Sequence, residues 1–489
     1  MKPALNEALK YKNYDIIPLS EEILSDVKTP IEVLKNLKAV SKCHYLLESV
    51  SDGKISRYSF LGFNPILKIK CKNNVVYIEN DNSKSYFNSD NPLSEIRRIL
   101  KNYHTPSFNY LPSFTGGFVG YCSYDSFKYG EKSLKLKSDD KALFNDFEFM
   151  LFDKVIAFDN LRQKIIIIVN ISTDNLEENY RKGELEIKNL INLIKSDLKP
   201  NIPTNTIYED IKANDNFESY KEKIEKIKNY IKNGDIFQCV YSRRFQGKMK
   251  GSLYNTYRVL RGLNPSPYMI YFNSDDVEIA GASPETLVRK INDKVTTFPI
   301  AGTRPRGKDE KEDIMLEEGL KKDQKELAEH NMLVDLGRND IGKISKFGSV
   351  NVTRYQYIQK FSHVMHITST VEGTIKDDKD AIDALLSVLP AGTLSGAPKI
   401  RAAQIIDELE PELRGIYGGA IGYIDFEGNM DTCICIRTAI KKNDDVYVQA
   451  GGGIVLDSVA ENEYQETENK AKAILKALKE SEGELLWFY

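Results

Sequence analysis

Two stretches of this 489-residue sequence each hold a pair of glutamates three positions apart. In "DQKELAEHNMLVDLGRND" they are Glu326 and Glu329; in "ENEYQETENKAKAILKALKE" they are Glu463 and Glu466. Both stretches have helical spacing, so each pair shares one helix face. Two such faces could offer hard oxygen ligands to a divalent cation such as Mg2+, directly or through water. The plainer reading of each is a solvated face.

Other segments suit anionic groups. "PAGTLSGAPK", Pro390 to Lys399, runs straight into the helical "IRAAQIIDELEP". It is not a Walker loop, because Lys399 stands three places after Gly396, yet N–H groups ahead of a helix and the Thr393 hydroxyl can face an anion. "QAGGGIVLDS" is a second such loop, at Gly451, Gly452 and Gly453. A tight turn needing positive φ is the simpler account of each. "FPIAGTRPRG", Phe298 to Gly307, sets Arg304 and Arg306 in a backbone path fixed by Pro and Gly, with the inert Ala301 near its start.

In "CICIRTAI", strand alternation puts Cys433, Cys435 and Arg437 on one face and Ile434, Ile436 and Ile440 on the other. An arginine buried there needs either an internal carboxylate or a ligand carboxylate. His363 and His366 lie three apart in "FSHVMHITSTVEG"; on a strand they face opposite sides and share no metal. His366 reads either as an acid–base group or as a hydrogen-bonded core histidine.

The elements that must position these residues follow from pattern. The length implies two domains or one large composite. Lys+Arg of 68 against Asp+Glu of 71 gives a net charge of −3, with no general attraction to nucleic acid or membrane, so any anion site is a local construction. The start lacks a signal-peptide core, no apolar run approaches membrane-spanning length, and the six cysteines are scattered; a reduced, cytoplasmic protein is expected. "PILKIKCKNNVVYIEN" and "KVIAFDNLRQKIIIIVNI" alternate as hairpins, "ELEIKNLINLIKSDL" as a helix. "KPNIPTNTIYEDIKANDN" reads as a linker before the amphipathic helix "FESYKEKIEKIKNYIKNGD". "GGAIGYIDF", "MDTCICIRTAI" and "VYVQAGGGIVL" form a meander with turns too short for crossover helices, so the expected class is α+β with antiparallel sheets.

Taken in order and spacing, "FPIAGTRPRG", "ELAEHNMLVDLGRND", "LPAGTLSGAPKIRAAQIIDELEP", "YGGAIGYIDFEGNMDTCICIRTAI" and "VQAGGGIVLDSVAENEYQETENKA" resemble the chorismate-utilising enzyme family, from about Phe217 to the C-terminus. "LLESVSDGKISRYSFLG" and "NPSPYMIYF" resemble its anthranilate synthase component I branch. The resemblance implies an intertwined two-domain α/β sandwich with antiparallel sheets. An N-terminal domain over 1–200 would carry part of a feedback site, and a catalytic domain over 215–489 would bind chorismate.

The resemblance also implies roles. Glu329 and Glu466 match the family's Mg2+ ligands, with Glu326 and Glu463 nearby, the metal holding the ring carboxylate of chorismate. Arg437 and Tyr417, with the backbone at Gly451, Gly452 and Gly453, would receive the enolpyruvyl carboxylate; Gly302, Thr303 and Thr393 match another part of that site. Glu285 in "GASPE" matches the general acid for the departing ring hydroxyl, and His366 a histidine that helps aromatisation. Gln238 stands where isochorismate- and salicylate-forming relatives carry a water-activating lysine, which fits ammonia as nucleophile. No cysteine lies in a Gly-x-Cys-x-Gly elbow, so a separate glutamine amidotransferase subunit is implied.

The implied reaction is amination of chorismate and elimination of pyruvate to give anthranilate, the first step of L-tryptophan synthesis. Glu48, Ser49, Pro267, Tyr268 and Met269 match the L-tryptophan feedback site; a strand end and a rigid turn are the plain alternatives. Two rival readings remain: the aminodeoxychorismate-forming branch of folate synthesis, many of whose members carry lysine at Ala301, and a non-catalytic tryptophan-sensing subunit.

Overall fold

A computed structural model of the protein describes every residue except 52, 53, 56, 199, 201, 362, 363 and 484–489. Alternating apolar residues build two twelve-stranded sheets. The pairings of the first are antiparallel, and so are those of the second. The class is α+β, as expected.

Burial follows strand alternation. Tyr45, Phe272 and Ile440 of the first sheet share a core with Val119, Met150 and Cys433 of the second. The opposite face of the first sheet packs Leu46, Ile165 and Ile167 against helices Pro30–Val40, Leu176–Lys195 and Ala460–Glu480. That of the second packs Val288 and Val371 against helices Gln324–Gly342 and Ala381–Val388. The result is four layers, helices–sheet–sheet–helices. Among the described residues no helix is long and apolar enough to cross a membrane.

Strands from both halves of the chain interleave. In the first sheet His44–Glu48 pairs with Tyr268–Asn273; in the second Gly117–Cys122 pairs with Ala420–Asp425. The hairpin Leu67–Lys72/Val75–Asn80 turns on Asn73 and Asn74, both at positive φ, as a two-residue hairpin requires.

Two expectations are corrected. Within the supposed linker, Thr206–Ala213 forms a strand on the edge of the first sheet beside Gln238–Lys250. It is mostly exposed on both faces, which is why its sequence reads as polar coil. The C-terminal meander is not one sheet: Ala420–Asp425 and Met430–Ile434 belong to the second, Thr438–Lys442 and Asp445–Ile454 to the first. "CICIRTAI" therefore breaks between Ile434 and Thr438, with Arg437 at φ 54°, so Ile434 and Ile440 enter different cores.

Candidate active site

That break is one of two at the same place. The chain also leaves the first sheet after Glu278–Ser283 and enters the second at Thr286–Ile291. The two crossings are stitched together: the Ile434 N–H donates to Glu285 O at 3.0 Å, Ser283 Oγ to Ile434 O at 2.7 Å, and the Ala282 N–H to Arg437 O at 3.1 Å. Glu285 and Arg437 are thus carried into one region by paired strands that change sheet together.

Thr393 sits in the short turn Gly392–Leu394 and donates its hydroxyl to Glu285 Oε1 at 2.9 Å. The turn is anchored by the buried Arg414, which donates to Leu394 O at 2.5 Å and pairs with Glu410 at 2.6 Å. Burial pushes the Glu285 carboxyl up to about 7, opposed by the Thr393 hydrogen bond and the Lys470 charge.

The run Gly451–Gly453 lies inside strand Asp445–Ile454, and none of the three is at positive φ, which overturns the tight-turn account. Close approach requires them instead. A Cβ on Gly451 would press on the Tyr241 carbonyl at 2.8 Å and Ser242 Cβ at 3.0 Å, with Tyr417 Oη next at 3.2 Å; one on Gly452 would stand 3.0 Å from Glu463 Oε2, and one on Gly453 would clash with the Gln238 carboxamide. Three successive glycines thus admit three expected site residues. Gln238 Oε1 is buried with no hydrogen-bond partner among the described residues.

Arg437 donates from Nη1 to a backbone carbonyl, Lys470 O, at 3.1 Å rather than to a carboxylate. Burial lowers its guanidinium, opposed by Tyr417 and Glu466. Lys470 links the parts: its Nζ donates to Gly451 O at 3.0 Å and pairs with Glu466 Oε1 at 2.6 Å. Lys470 is absent from the sequence reading, although its position four residues after Glu466 was the signal.

Gly302, at φ 64°, bulges strand Ile300–Pro305 where it pairs with Val364–Thr374. Its carbonyl accepts from His366 Nδ1 at 2.9 Å, with Thr303 Oγ1 3.1 Å from the same nitrogen. Donation to the carbonyl fixes the Nδ1–H tautomer and leaves Nε2 as the basic nitrogen. Burial lowers His366, so it is neutral at physiological pH. His363 lies outside the described residues. Arg304 pairs with Asp323 at 2.6 Å and Glu326 at 3.4 Å, and Arg306 with Asp313 at 2.8 Å; both tie the strand to neighbouring helices.

The glutamates form a mutually repelling set. Glu329 is raised by burial, then by Glu326, with Glu466 adding to it; Glu463 is raised by burial and by Glu466. Among the described residues no three acidic, His or Cys side chains converge into a ready metal cage. Carboxylates that repel across a partly buried gap fit a cation that keeps water and substrate as most of its ligands, as Mg2+ does.

A cavity of about 370 Å3 lies beside Glu48, Ser49, Pro267 and Tyr268, with Pro284 and Thr286, the chain neighbours of Glu285, also on its wall. Met269 is not on it: its side chain is buried in the helix-side core. Glu48 is the cross-strand partner of Met269 and shares that face, its carboxylate accepting from Tyr257 at 2.8 Å and Arg261 at 3.0 Å.

A half-buried carboxyl with a raised pKa, a basic imidazole nitrogen, a half-buried arginine and a set of helix-borne carboxylates, gathered where strands cross from one antiparallel sheet to the other, define an acid–base enzyme for an anionic substrate. The family model described as chorismate binding enzyme matches residues 42–476. Anthranilate synthase component 1 of Acetivibrio thermocellus is 46% identical, over 99% of this chain and 99% of that protein. The crystal structure of anthranilate synthase component I from Streptococcus pneumoniae TIGR4 superposes with a TM-score of 0.78 at 38% identity, covering 93% of this chain and 99% of that one. MenF, the menaquinone-specific isochorismate synthase from Escherichia coli, shares the fold with a TM-score of 0.68 at 18% identity, covering 97% and 98%. The chain belongs to the chorismate-binding enzyme family, in the branch formed by anthranilate synthase component I.

Proposed function

We propose that the chain is the large subunit of an anthranilate synthase, adding ammonia to chorismate, expelling the ring hydroxyl and then eliminating pyruvate to leave anthranilate. The observation that carries this reading is Glu285, half-buried, hydrogen-bonded by Thr393 and pushed up to about 7. Such a carboxyl still holds a proton near neutrality and can give it to the departing hydroxyl. Gln238 offers no base to activate water, while its unpartnered Oε1 can accept an N–H from ammonia. The basic Nε2 of His366 takes the ring proton as aromaticity forms. Arg437 and Tyr417, beside the Gly451–Gly453 strand, receive the enolpyruvyl carboxylate, and Gly302 and Thr303 line the ring.

Glu329 and Glu466 would hold Mg2+, with Glu326 and Glu463 behind them. When bound, the metal supplies positive charge for the ring carboxylate. Ala301, nearly buried opposite Ile367, presents no amine to attack the ring, which separates this reading from the folate branch. The acid and arginine set has no use in a pure sensor.

The ammonia comes from a separate glutamine amidotransferase subunit. All six cysteines are buried and burial raises every thiol, the opposite of what a glutaminase nucleophile needs. The same free thiols accord with a cytoplasmic enzyme. L-tryptophan is the feedback inhibitor, seated in the cavity walled by Phe60, Phe298, Tyr268 and Pro267. The purified chain should form anthranilate from chorismate with Mg2+ and ammonium but not with glutamine, and gain glutamine use when the amidotransferase subunit is added. Turnover on glutamine by the chain alone would contradict the two-subunit reading.

A further inference from the structure

The wall of the effector cavity reaches the chain neighbour of Glu285. Tyr268 and Thr286 both line the cavity, with the Tyr268 hydroxyl 2.9 Å from Thr286 Oγ1, and Thr286 follows Glu285 in the chain. Tyr268 also donates to Asp431 at 2.7 Å, and Arg289 binds that carboxylate at 3.1 Å and the Tyr268 oxygen at 3.3 Å. The Tyr268 hydroxyl is therefore held in one place by three groups.

Thr286 starts the strand Thr286–Ile291 at the crossing between sheets, and the pairing of that strand with Met430–Ile434 is irregular between Thr286 and Val288. Such a segment can shift without unzipping the regular ladder beyond it. Glu285 has its backbone tied to Ser283 and Ile434 and its carboxyl to Thr393, so a small shift at Thr286 moves the acid relative to fixed partners. We infer that Thr286 is a positioning residue through which Tyr268 couples occupancy of the effector cavity to the placement of Glu285. This rests on the regulatory reading above. A ligand against Tyr268 inhibits only if it binds more tightly when the Tyr268–Thr286 contact is displaced.

The test measures binding and inhibition separately. L-tryptophan is titrated calorimetrically into the full chain and into Thr286→Val and Thr286→Ser, and each is assayed with chorismate, Mg2+ and ammonium, with and without saturating tryptophan. Thr286→Val should bind tryptophan within about threefold of the parent yet keep more than about half its own uninhibited rate at saturation, while Thr286→Ser, which retains the hydroxyl, is inhibited like the parent. Parent-like inhibition of Thr286→Val, or loss of its binding in step with inhibition, would overturn the coupling role. If Thr286→Val does not fold, Thr286→Ala is read by the same two criteria. Failure of the parent itself to bind tryptophan would instead remove the regulatory reading, and the inference with it.

Discussion

Glu285 owes its raised pKa to an environment that its sequence neighbours do not announce. "GASPE" carries no sign of burial, yet the side chain is half-buried at the crossing from one sheet to the other, with one hydroxyl donor, Thr393. Glu285→Gln keeps that shape without the transferable proton, and should lower kcat by about 10²–10⁴ while leaving chorismate affinity nearly unchanged, checked by steady-state and equilibrium binding. In the proposed role the acid must be protonated, so kcat/KM per neutral ammonia should fall as pH rises through about 7, and the glutamine variant should lose that limb. The same shift has a stability consequence. A carboxyl raised from 4.5 to about 7 contributes stability below its unfolded value and loses it as pH rises through the folded one. Glu285→Gln should thus gain on the parent between pH 5 and 8, by on the order of 3 kcal/mol at most in guanidinium melts. Gly453→Ala tests the close approach: its Cβ meets the far end of Gln238, so the fold should persist while the ammonium-dependent rate drops at least about tenfold.

Elements were legible where one face is buried and obscured where the chain changes layers. The helices around Glu326 and Glu466 and the Asn-Asn hairpin follow from spacing and turn chemistry alone. "CICIRTAI" misleads because both of its halves are buried on both faces, so nothing in the pattern marks the step from one sheet to the other. Thr286, Arg289 and Asp431 were invisible for a related reason, since only the sheet crossing brings them to Tyr268. At this scale the buried pair Lys399–Asp340, at 2.6 Å, fastens the start of helix Lys399–Leu409 to the end of helix Gln324–Gly342. Lys399→Met leaves buried Asp340 with only the longer Lys343 contact, at 3.3 Å, and should cost about 1–3 kcal/mol in denaturant unfolding; adding Asp340→Leu should recover most of it. Equal instability of the double variant would show that packing, not the pair, matters there.

Across the whole molecule, the two halves of the sequence complete each other's sheets, so the 215–489 segment lacks one of the two neighbours of Tyr268–Asn273 and of Ala420–Asp425. Expressed alone it would expose both strand edges and should aggregate or stay molten, whereas co-expression with 1–200 should restore a soluble complex. A soluble, cooperatively melting 215–489 would show that the interleaving is dispensable. The fold class was legible from antiparallel patterning, but the interleaving was not, because local alternation says nothing about which distant strand lies alongside. The proposed function has one product, anthranilate. Its most direct test is product identity: chorismate, Mg2+ and ammonium are mixed with the purified chain, and anthranilate fluorescence is followed with chromatography of the mixture. Anthranilate and pyruvate should appear in equal amounts, and accumulation of aminodeoxychorismate or isochorismate without anthranilate would contradict the account.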